Sequence, residues 1–163
     1  IKEEAGDSFP ILVKLNATDG FRAGSSKAKL GLDISQAVET AKLLEKAGVC
    51  SIEVSGGISE AGGVTIKTAI NAPAKEAYFK DYSKAIKSAV NLPVILVGGI
   101  RSLQVINYLL ENGFADLISM SRVFISEPDI VLKLKSGKVE KARCVSCNLC
   151  FDLEGISCNF QFE

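Results

Sequence analysis

The fold of this chain is constrained most by an alternation of short apolar runs with segments of helical periodicity. The apolar runs are rich in β-branched residues and predict four strands, over residues 10–16, 50–57, 92–99 and 115–120. A helix is predicted after each strand, over residues 34–47, 78–90, 103–112 and 126–134. Because strands that alternate with helices form parallel sheets with right-handed crossovers, the expected class is α/β. Four βα units make half of an eight-unit barrel, so we predict a parallel (βα)4 half of a TIM (β/α)8 barrel.

The first of these helices has the clearest boundaries. Asp33 suits an N-cap before it, and Gly48 suits the stop after its last turn. Long connections are predicted over residues 17–31 and 58–77. The first is expected to cover the ligand face, with a solvated loop as the alternative explanation of its charges, and the second is of a length typical of functional or mobile loops.

Length and composition limit the class of protein. The 163 residues suit one core-forming half barrel at 1–136, followed by a cysteine-rich tail at 137–163. Lysine and arginine total 19, as do aspartate and glutamate, so no charge excess favours a nucleic-acid or membrane partner. The longest apolar run has about nine residues, too few for a membrane span, and no signal peptide opens the chain. We expect a cytoplasmic protein.

Small and basic residues follow the third and fourth predicted strands. Gly98, Gly99 and Arg101 follow the third, and the fourth ends in the run Asp116-Leu-Ile-Ser-Met-Ser-Arg122. Adjacent glycines let a backbone approach a ligand closely, and their N–H groups can point at anionic oxygens. In parallel barrels a phosphate site recurs in the loops after strands seven and eight. The sequence therefore predicts a phosphate site to which Arg101 and Arg122 add charge; two tight turns with solvated arginines are the alternative.

One lysine interrupts the first predicted strand. Lys14 lies toward the carboxyl end, where the sites of parallel α/β folds form. We expect a functional cation there; the alternative is a lysine whose ammonium simply reaches water. In the second strand, Glu53 would point into the barrel or toward a neighbour, and the lone Cys50 is expected to be a buried core thiol.

The tail contains a cluster of cysteines. Cys144, Cys147, Cys150 and Cys158 follow a C-x-x-C-x-x-C pattern with a fourth member close behind. Such spacing can hold a [4Fe–4S] cluster or a tetrahedral zinc ion, and ligand-free thiols are the third possibility. The chain contains no histidine, which excludes histidine ligands and histidine acid–base chemistry within it.

Several segments together resemble the old yellow enzyme family of NAD(P)H:flavin oxidoreductases, closest to the branch of dienoyl-CoA reductase and trimethylamine dehydrogenase. They occur in the family's order and cover almost the whole chain. The segments are Val13-Lys-Leu-Asn16, Val54-Ser-Gly-Gly57, Pro93-Val-Ile-Leu-Val-Gly-Gly-Ile-Arg-Ser102, Ile118-Ser-Met-Ser-Arg-Val-Phe-Ile-Ser-Glu-Pro-Asp129 and Cys144-Val-Ser-Cys-Asn-Leu-Cys150.

The resemblance implies a barrel that holds FMN at the carboxyl ends of its strands, with this chain as strands five to eight. Lys14 resembles the family's basic residue beside the flavin pyrimidine. Gly98, Gly99 and Arg101 resemble the first phosphate loop, and Ser121 with Arg122 the second. The four tail cysteines correspond to cluster ligands, although the gap from Cys150 to Cys158 is shorter than in cluster-bearing members, which keeps zinc and empty thiols open.

The resemblance also implies what this chain lacks. The family's substrate-binding polar pair and its tyrosine proton donor belong to the first barrel half, so we expect no catalytic residue here. The expected partners are an N-terminal barrel half or a second copy, NAD(P)H as reductant, and a small-molecule substrate such as an activated alkene. We also expect a homo-oligomer.

Two other functions remain open on the residues alone. One is a different phosphate-binding barrel enzyme, an isomerase or synthase, for which Glu53 is the available acid or base. The other is a non-catalytic truncated half barrel whose cysteine tail forms a structural metal knuckle.

Overall fold

The computed structural model describes residues 1–21, 31–61, 66–151 and 155–161. Two short 3-10 turns, Ser59–Ala61 and Pro73–Lys75, lie in the connection between the second strand and the helix that follows it. The helices and strands are α1 Lys2–Ala5, β1 Leu12–Asn16, α2 Ile34–Lys46, β2 Ser51–Ser55, α3 Lys80–Lys87, β3 Val94–Leu96, α4 Leu103–Glu111, β4 Leu117–Ile118, α5 Arg122–Ser126 and α6 Ile130–Lys135.

The strands form one parallel sheet in the order β1-β2-β3-β4, so each strand lies beside its neighbour in sequence. The register pairs Lys14 with Glu53 across β1 and β2. It pairs Ile95 with Leu117 across β3 and β4. The predicted α/β class and the parallel (βα)4 arrangement are confirmed, and every carboxyl end lies at the same edge of the sheet.

One face of the sheet packs against the helices. Ile52, Val54 and Val94 are completely buried on this face. Small residues on α2 let the helix approach closely, since Ala37 and Ala41 belong to the same buried cluster. Burying an aliphatic side chain contributes roughly 1.5–3 kcal/mol each, so this layer fixes the strands that carry the site.

The opposite face of the sheet is open among the described residues. Leu12 is 60% exposed and Leu117 is 52% exposed, although both belong to strands. Successive strand residues alternate between faces, so Lys14 and Leu12 share this side of β1. In a closed barrel such inward residues fill the interior. The open face is what a half barrel presents to the missing half.

The boundaries predicted for α2 are confirmed. The Asp33 carboxylate accepts the N–H of Gln36, while the Gln36 side chain accepts the N–H of Asp33, which completes a capping box. The Ser35 hydroxyl and the Gln36 N–H lower the pKa of Asp33. Gly48 follows the helix with a φ of +83°, a conformation that glycine adopts without steric cost.

Two predicted helix boundaries are wrong. The helix expected from residue 78 begins at Lys80, because Ala77 has a φ of +53° and turns the chain before it. The last predicted helix is divided into α5 and α6, and Ser126 ends the first of them instead of beginning the second. Pro128 disfavours helical backbone at Glu127, which is indeed extended with a φ of −147°.

Other expectations also need correction. Cys50 is exposed, not buried: it lies at the amino end of β2, where its N–H donates to the Ile11 carbonyl. β2 and β3 are shorter than predicted, because the chain leaves the sheet before the glycines that follow them, and β4 is shorter because it pairs with β3 at only two positions. Much of the connection predicted over residues 17–31 lies outside the described residues. No helix in the described part of the chain combines the length and the apolar character needed to cross a bilayer.

Candidate functional site

A cavity of about 310 Å³ opens at the carboxyl ends of the strands. Its walls come from β1, β2, the loops after β3 and β4, and the start of the cysteine segment. Of the residues predicted from the sequence, Lys14, Gly99, Arg101, Ser121, Arg122 and Cys144 line this one cavity. Residues as far apart in sequence as Lys14 and Cys144 therefore contribute to a single site.

The loop after β3 requires its two glycines. Gly98 has a φ of +142° and Gly99 a φ of +70°, where other residues are strained. A Cβ on Gly99 would lie 2.9 Å from Cε1 of Tyr78 and 3.2 Å from Cγ1 of Ile70. The loop therefore holds a narrow space against an aromatic wall, and we call residues 98–102 the first phosphate loop.

Two backbone donors in this loop have no acceptor in the described part of the chain. Among the described residues, the N–H groups of Gly99 and Ile100 meet no hydrogen-bond acceptor, although both residues line the cavity. Uncompensated buried N–H groups are rare and costly in proteins. A ligand with anionic oxygens would satisfy them.

The loop after β4 provides a second set of donors. Ser119 keeps the strand pairing through its N–H bond to the Leu96 carbonyl at 2.9 Å. The N–H groups of Met120 and Ser121 have no acceptor in the described part of the chain, and both residues line the cavity. We call residues 119–122 the second phosphate loop.

The two predicted phosphate arginines are engaged by the protein itself. Arg101 is buried and donates from Nη1 to the Ile70 carbonyl at 2.9 Å and from Nη2 to the Ala142 carbonyl at 3.0 Å. Arg122 is half-buried and donates from Nη1 to the Lys67 carbonyl at 3.0 Å and to Asn148 Oδ1. Each guanidinium has five N–H donors, so both can tether a loop and still present charge to the cavity.

Lys14 lies at the β1 side of the cavity and forms an ion pair with Glu53. The lysine side chain is 58% exposed and the glutamate 25%, so the pair is worth little to folding. Two residues further along each strand, the Ser55 hydroxyl donates to Asn16 Oδ1 at 2.8 Å. The Asn16 amide then donates to the Gly57 carbonyl at 3.2 Å, which ties the strand ends together.

The four tail cysteines share one small cleft beside the cavity. Cys144, Cys147, Cys150 and Cys158 all line it together with Arg122. All are free thiols, and no three histidine, cysteine or acidic side chains in the described ranges are grouped to hold a single metal ion. Burial raises the pKa of the Cys150 thiol, and the neighbouring Cys144 and Cys147 add to the rise.

Several residues of the cavity were not predicted from the sequence. Asn16 and Ser55 follow Lys14 and Glu53 by two positions, so strand periodicity alone could have placed them on the same face at the strand ends. Tyr78 was assigned to a helix, whereas it forms the aromatic wall of the first phosphate loop. Glu76, which binds the back of that loop, carries no local signal, because its partners are 25 and 26 residues away.

The NADH:flavin oxidoreductase / NADH oxidase family matches residues 1–141. The chain belongs to this family. The resemblance noted from the sequence segments is thereby confirmed, and membership implies FMN and NADH as the family's cofactors. The cysteine segment largely follows the matched region.

Relatives in the family are much longer than this chain. The NADH oxidase of Thermoanaerobacter brockii is 32% identical over 151 residues, which cover 91% of this chain and 22% of the relative. The bilirubin reductase of Mediterraneibacter gnavus (strain CC55_001C) is 36% identical over 123 residues, covering 75% of this chain and 19% of the relative. The chain thus spans about a fifth of the length of these curated relatives.

A solved structure shares the fold. The 2-naphthoyl-CoA reductase, in complex with 2-naphthoyl-CoA, superimposes with a TM-score of 0.71 at 22% identity, covering 87% of this chain and 21% of that one. The four parallel strands and their helices therefore match one part of a much longer chain with this fold, as expected for a partial barrel.

Proposed function

We propose that this chain supplies the phosphate-binding side of an FMN site in an NAD(P)H-dependent flavin oxidoreductase. The observation that carries the proposal is the cavity between the two phosphate loops, where glycine geometry leaves space and four backbone N–H groups find no acceptor among the residues that the structure describes. When bound, FMN would supply the redox chemistry of the full-length enzyme, passing hydride from NAD(P)H to an activated alkene or another acceptor.

The residues of this chain would bind and orient the cofactor. Gly98 and Gly99 give the phosphate close access to the backbone, and the N–H of Ser121 donates from the second loop. Arg101 and Arg122 brace the loops and add positive charge, which favours a dianionic phosphate ester. No catalytic residue is assigned to this chain.

Lys14 is proposed as the cation beside the flavin ring. It lines the same cavity as the phosphate loops but lies on β1, across the sheet from them. A positive charge in this position stabilises negative charge that accumulates on the ring during reduction. Its partner Glu53 keeps the ammonium directed along the sheet when the cofactor is absent.

Absorbance of the full-length protein tests this function directly. We expect the flavin bands in the visible spectrum and FMN, not FAD or riboflavin, in the supernatant after heat denaturation. A colourless protein that added FMN does not reconstitute would contradict the proposal. The alternative is an isomerase or synthase that uses Glu53 as its acid or base. It predicts that a flavin-free protein has an activity that Glu53→Gln abolishes. The ion pair between Glu53 and Lys14 and the membership of the chain in the flavin oxidoreductase family both weigh against this alternative.

The cysteine cleft is proposed as a metal centre. A tetrahedral zinc ion with Zn–S bonds of about 2.3 Å would hold its sulfurs within about 4 Å of one another. The four thiols line a common cleft, but in the described ranges no three of them are grouped to hold a single metal ion, so a [4Fe–4S] cluster, zinc and ligand-free thiols remain the three cases to separate. Metal analysis combined with the visible spectrum separates the cases: iron with sulfide, zinc, or no metal in an otherwise folded protein.

An N-terminal barrel half is the proposed partner of the open face. Leu12 and Leu117 leave apolar surface on that face, and exposed parallel edges bind other strands readily. A second copy of the chain is the alternative occupant. Size-exclusion chromatography of the full-length protein tests both this pairing and the expected homo-oligomer: a barrel completed within one chain needs no dimer to be soluble, whereas completion by a copy requires one.

A further inference from the structure

A buried carboxylate lies behind the first phosphate loop. Glu76 is 5% exposed and stands in the connection between β2 and α3. Its Oε2 accepts the N–H of Arg101 at 2.8 Å and the N–H of Ser102 at 3.0 Å. Its Oε1 accepts the Ser102 hydroxyl at 2.9 Å. All three donors come from the end of one loop.

The bonding of Glu76 is unusual for a buried acid. Among the described residues, no lysine or arginine ammonium or guanidinium forms an ion pair with it. Burying a carboxylate without an ion-pair partner is costly unless hydrogen bonds compensate it. Here the compensation comes from backbone and hydroxyl donors, so the carboxylate and the loop hold each other in one arrangement.

The same connection also contacts the opposite side of the loop. Two residues after Glu76, the N–H of Tyr78 donates to the Gly98 carbonyl at 3.3 Å, and the Tyr78 ring packs against Gly99. The Ile70 side chain also lies beside Gly99, and the Ile70 carbonyl accepts from the Arg101 guanidinium. The loop is therefore enclosed by one segment, with Glu76 behind it and Tyr78 in front.

We propose that Glu76 is a positioning residue for phosphate binding. By fixing the N–H groups of Arg101 and Ser102, it would set the direction of the preceding N–H groups of Gly99 and Ile100, two residues that line the cavity and whose N–H groups meet no acceptor among the described residues. Glu76 itself does not touch the phosphate, and two like charges in contact there would repel. This inference rests on the proposed FMN function and extends it to a residue outside the cavity-lining loops.

The test compares the affinities of FMN and riboflavin, which differ only by the phosphate. Apoprotein of the full-length wild type and of Glu76→Ala, Glu76→Gln and Ser102→Ala is titrated by flavin fluorescence quenching. Removal of a buried acceptor leaves unpaired donors, so Glu76→Ala should lower the FMN-to-riboflavin affinity ratio about tenfold or more while riboflavin binding is unchanged. Glu76→Gln keeps an oxygen acceptor of the same reach and should restore the ratio to within about threefold of wild type.

Ser102→Ala is the milder variant and covers the case in which Glu76→Ala does not fold. It deletes one of the three donors and should reduce the ratio about threefold. Asp116→Asn is the matched control, because that carboxylate accepts the N–H of Val94 at the amino end of β3, the end of the same strand that is remote from the loop. It should leave the ratio unchanged.

The possible outcomes separate this inference from the function on which it rests. A wild-type ratio near one would contradict the phosphate site itself and this inference with it. A large wild-type ratio that persists in the variants at Glu76 and Ser102 would overturn the inference alone. Equal losses of FMN and riboflavin affinity would also overturn it, because that result indicates general destabilisation.

Discussion

The Arg122 guanidinium donates a hydrogen bond to the side-chain carbonyl of Asn148, which joins the second phosphate loop to the segment between Cys147 and Cys150. The same nitrogen donates to the Lys67 carbonyl at 3.0 Å. The cavity and the cysteine cleft therefore share one charged side chain, and Arg122 lines both. A change in the cysteine segment should therefore alter ligand affinity at the proposed phosphate site.

Replacing Asn148 tests this link. Asn148 has a φ of +65°, so Asn148→Gly removes the hydrogen bond to Arg122 without adding backbone strain. We expect FMN affinity of the full-length apoprotein to fall about three- to tenfold, because Arg122 loses an anchor. Ala69→Gly is the control, since Ala69 has a similar φ of +54° and lines neither the cavity nor the cysteine cleft. Equal affinities for the two variants would contradict the link.

Gly99 is the position in the first phosphate loop where an added methyl group should most reduce both stability and FMN binding. Gly99→Ala combines a φ of +70° with a Cβ only 2.9 Å from the Tyr78 ring. We expect a loss of stability of about 1–3 kcal/mol together with loss of FMN binding, measured by denaturant unfolding and by flavin titration. Gly113→Ala has nearly the same φ, +67°, but no atom within 4 Å of the new Cβ, so it isolates the backbone strain. It should reduce stability less and leave FMN binding intact.

Lys14 should affect the redox properties of the flavin and not the fold. Lys14→Met removes a cation from a pair that is largely solvent-exposed, so the melting temperature should change little. The midpoint potential of the bound flavin should fall, because the reduced ring loses a stabilising positive charge. Lys42→Met removes an exposed lysine of comparable setting, paired with Glu39 on α2, and should leave the potential at the wild-type value. A midpoint potential unchanged in both variants would contradict the placement of Lys14 beside the flavin ring.

Asp116 gives a prediction about acid stability. Burial alone would raise the pKa of Asp116, but hydrogen bonds from the Lys87 ammonium and the Val94 N–H outweigh it and lower the pKa. A carboxyl group whose pKa is lower in the folded state stabilises the protein above its unfolded pKa of about 3.9, and this contribution is lost as the pH falls through the folded value. Asp116→Asn should therefore show a smaller loss of unfolding free energy between pH 5 and about pH 3 than wild type. Parallel pH profiles of the two proteins would contradict the assignment.

The sequence was informative wherever a residue acts through its immediate neighbours. Asp33 and Gly48 predicted the ends of α2, because caps depend on residues within one turn. Gly98 and Gly99 predicted a close backbone approach, since only their own φ values decide it. The order of strands and helices likewise followed from local periodicity.

Prediction failed where the partner of a residue is distant in sequence. Arg101 lines the cavity as expected, but the bonds from its guanidinium to the carbonyls of Ile70 and Ala142 were not predicted, because only the tertiary fold brings those carbonyls near. Glu76 has no local sequence signal, because the N–H groups that it accepts belong to Arg101 and Ser102, which follow α3 and β3 in the chain. Cys50 was expected in the core because cysteine is often buried, but its place before β2 exposes it.

The open face of the sheet changes character along the strands. Its exposed leucine on β1 lies at the amino end, Lys14 and Glu53 follow in the middle, and Asn16 with Ser55 lie at the carboxyl end. If a second half barrel covers this face, the amino end of the strands becomes a water-free apolar interior, and the carboxyl end becomes a polar opening above it. The effect of a mutation should then depend on its position along the strand. Mutations at the apolar amino end should alter the association of the two halves, and mutations at the polar carboxyl end should alter ligand binding by the closed barrel.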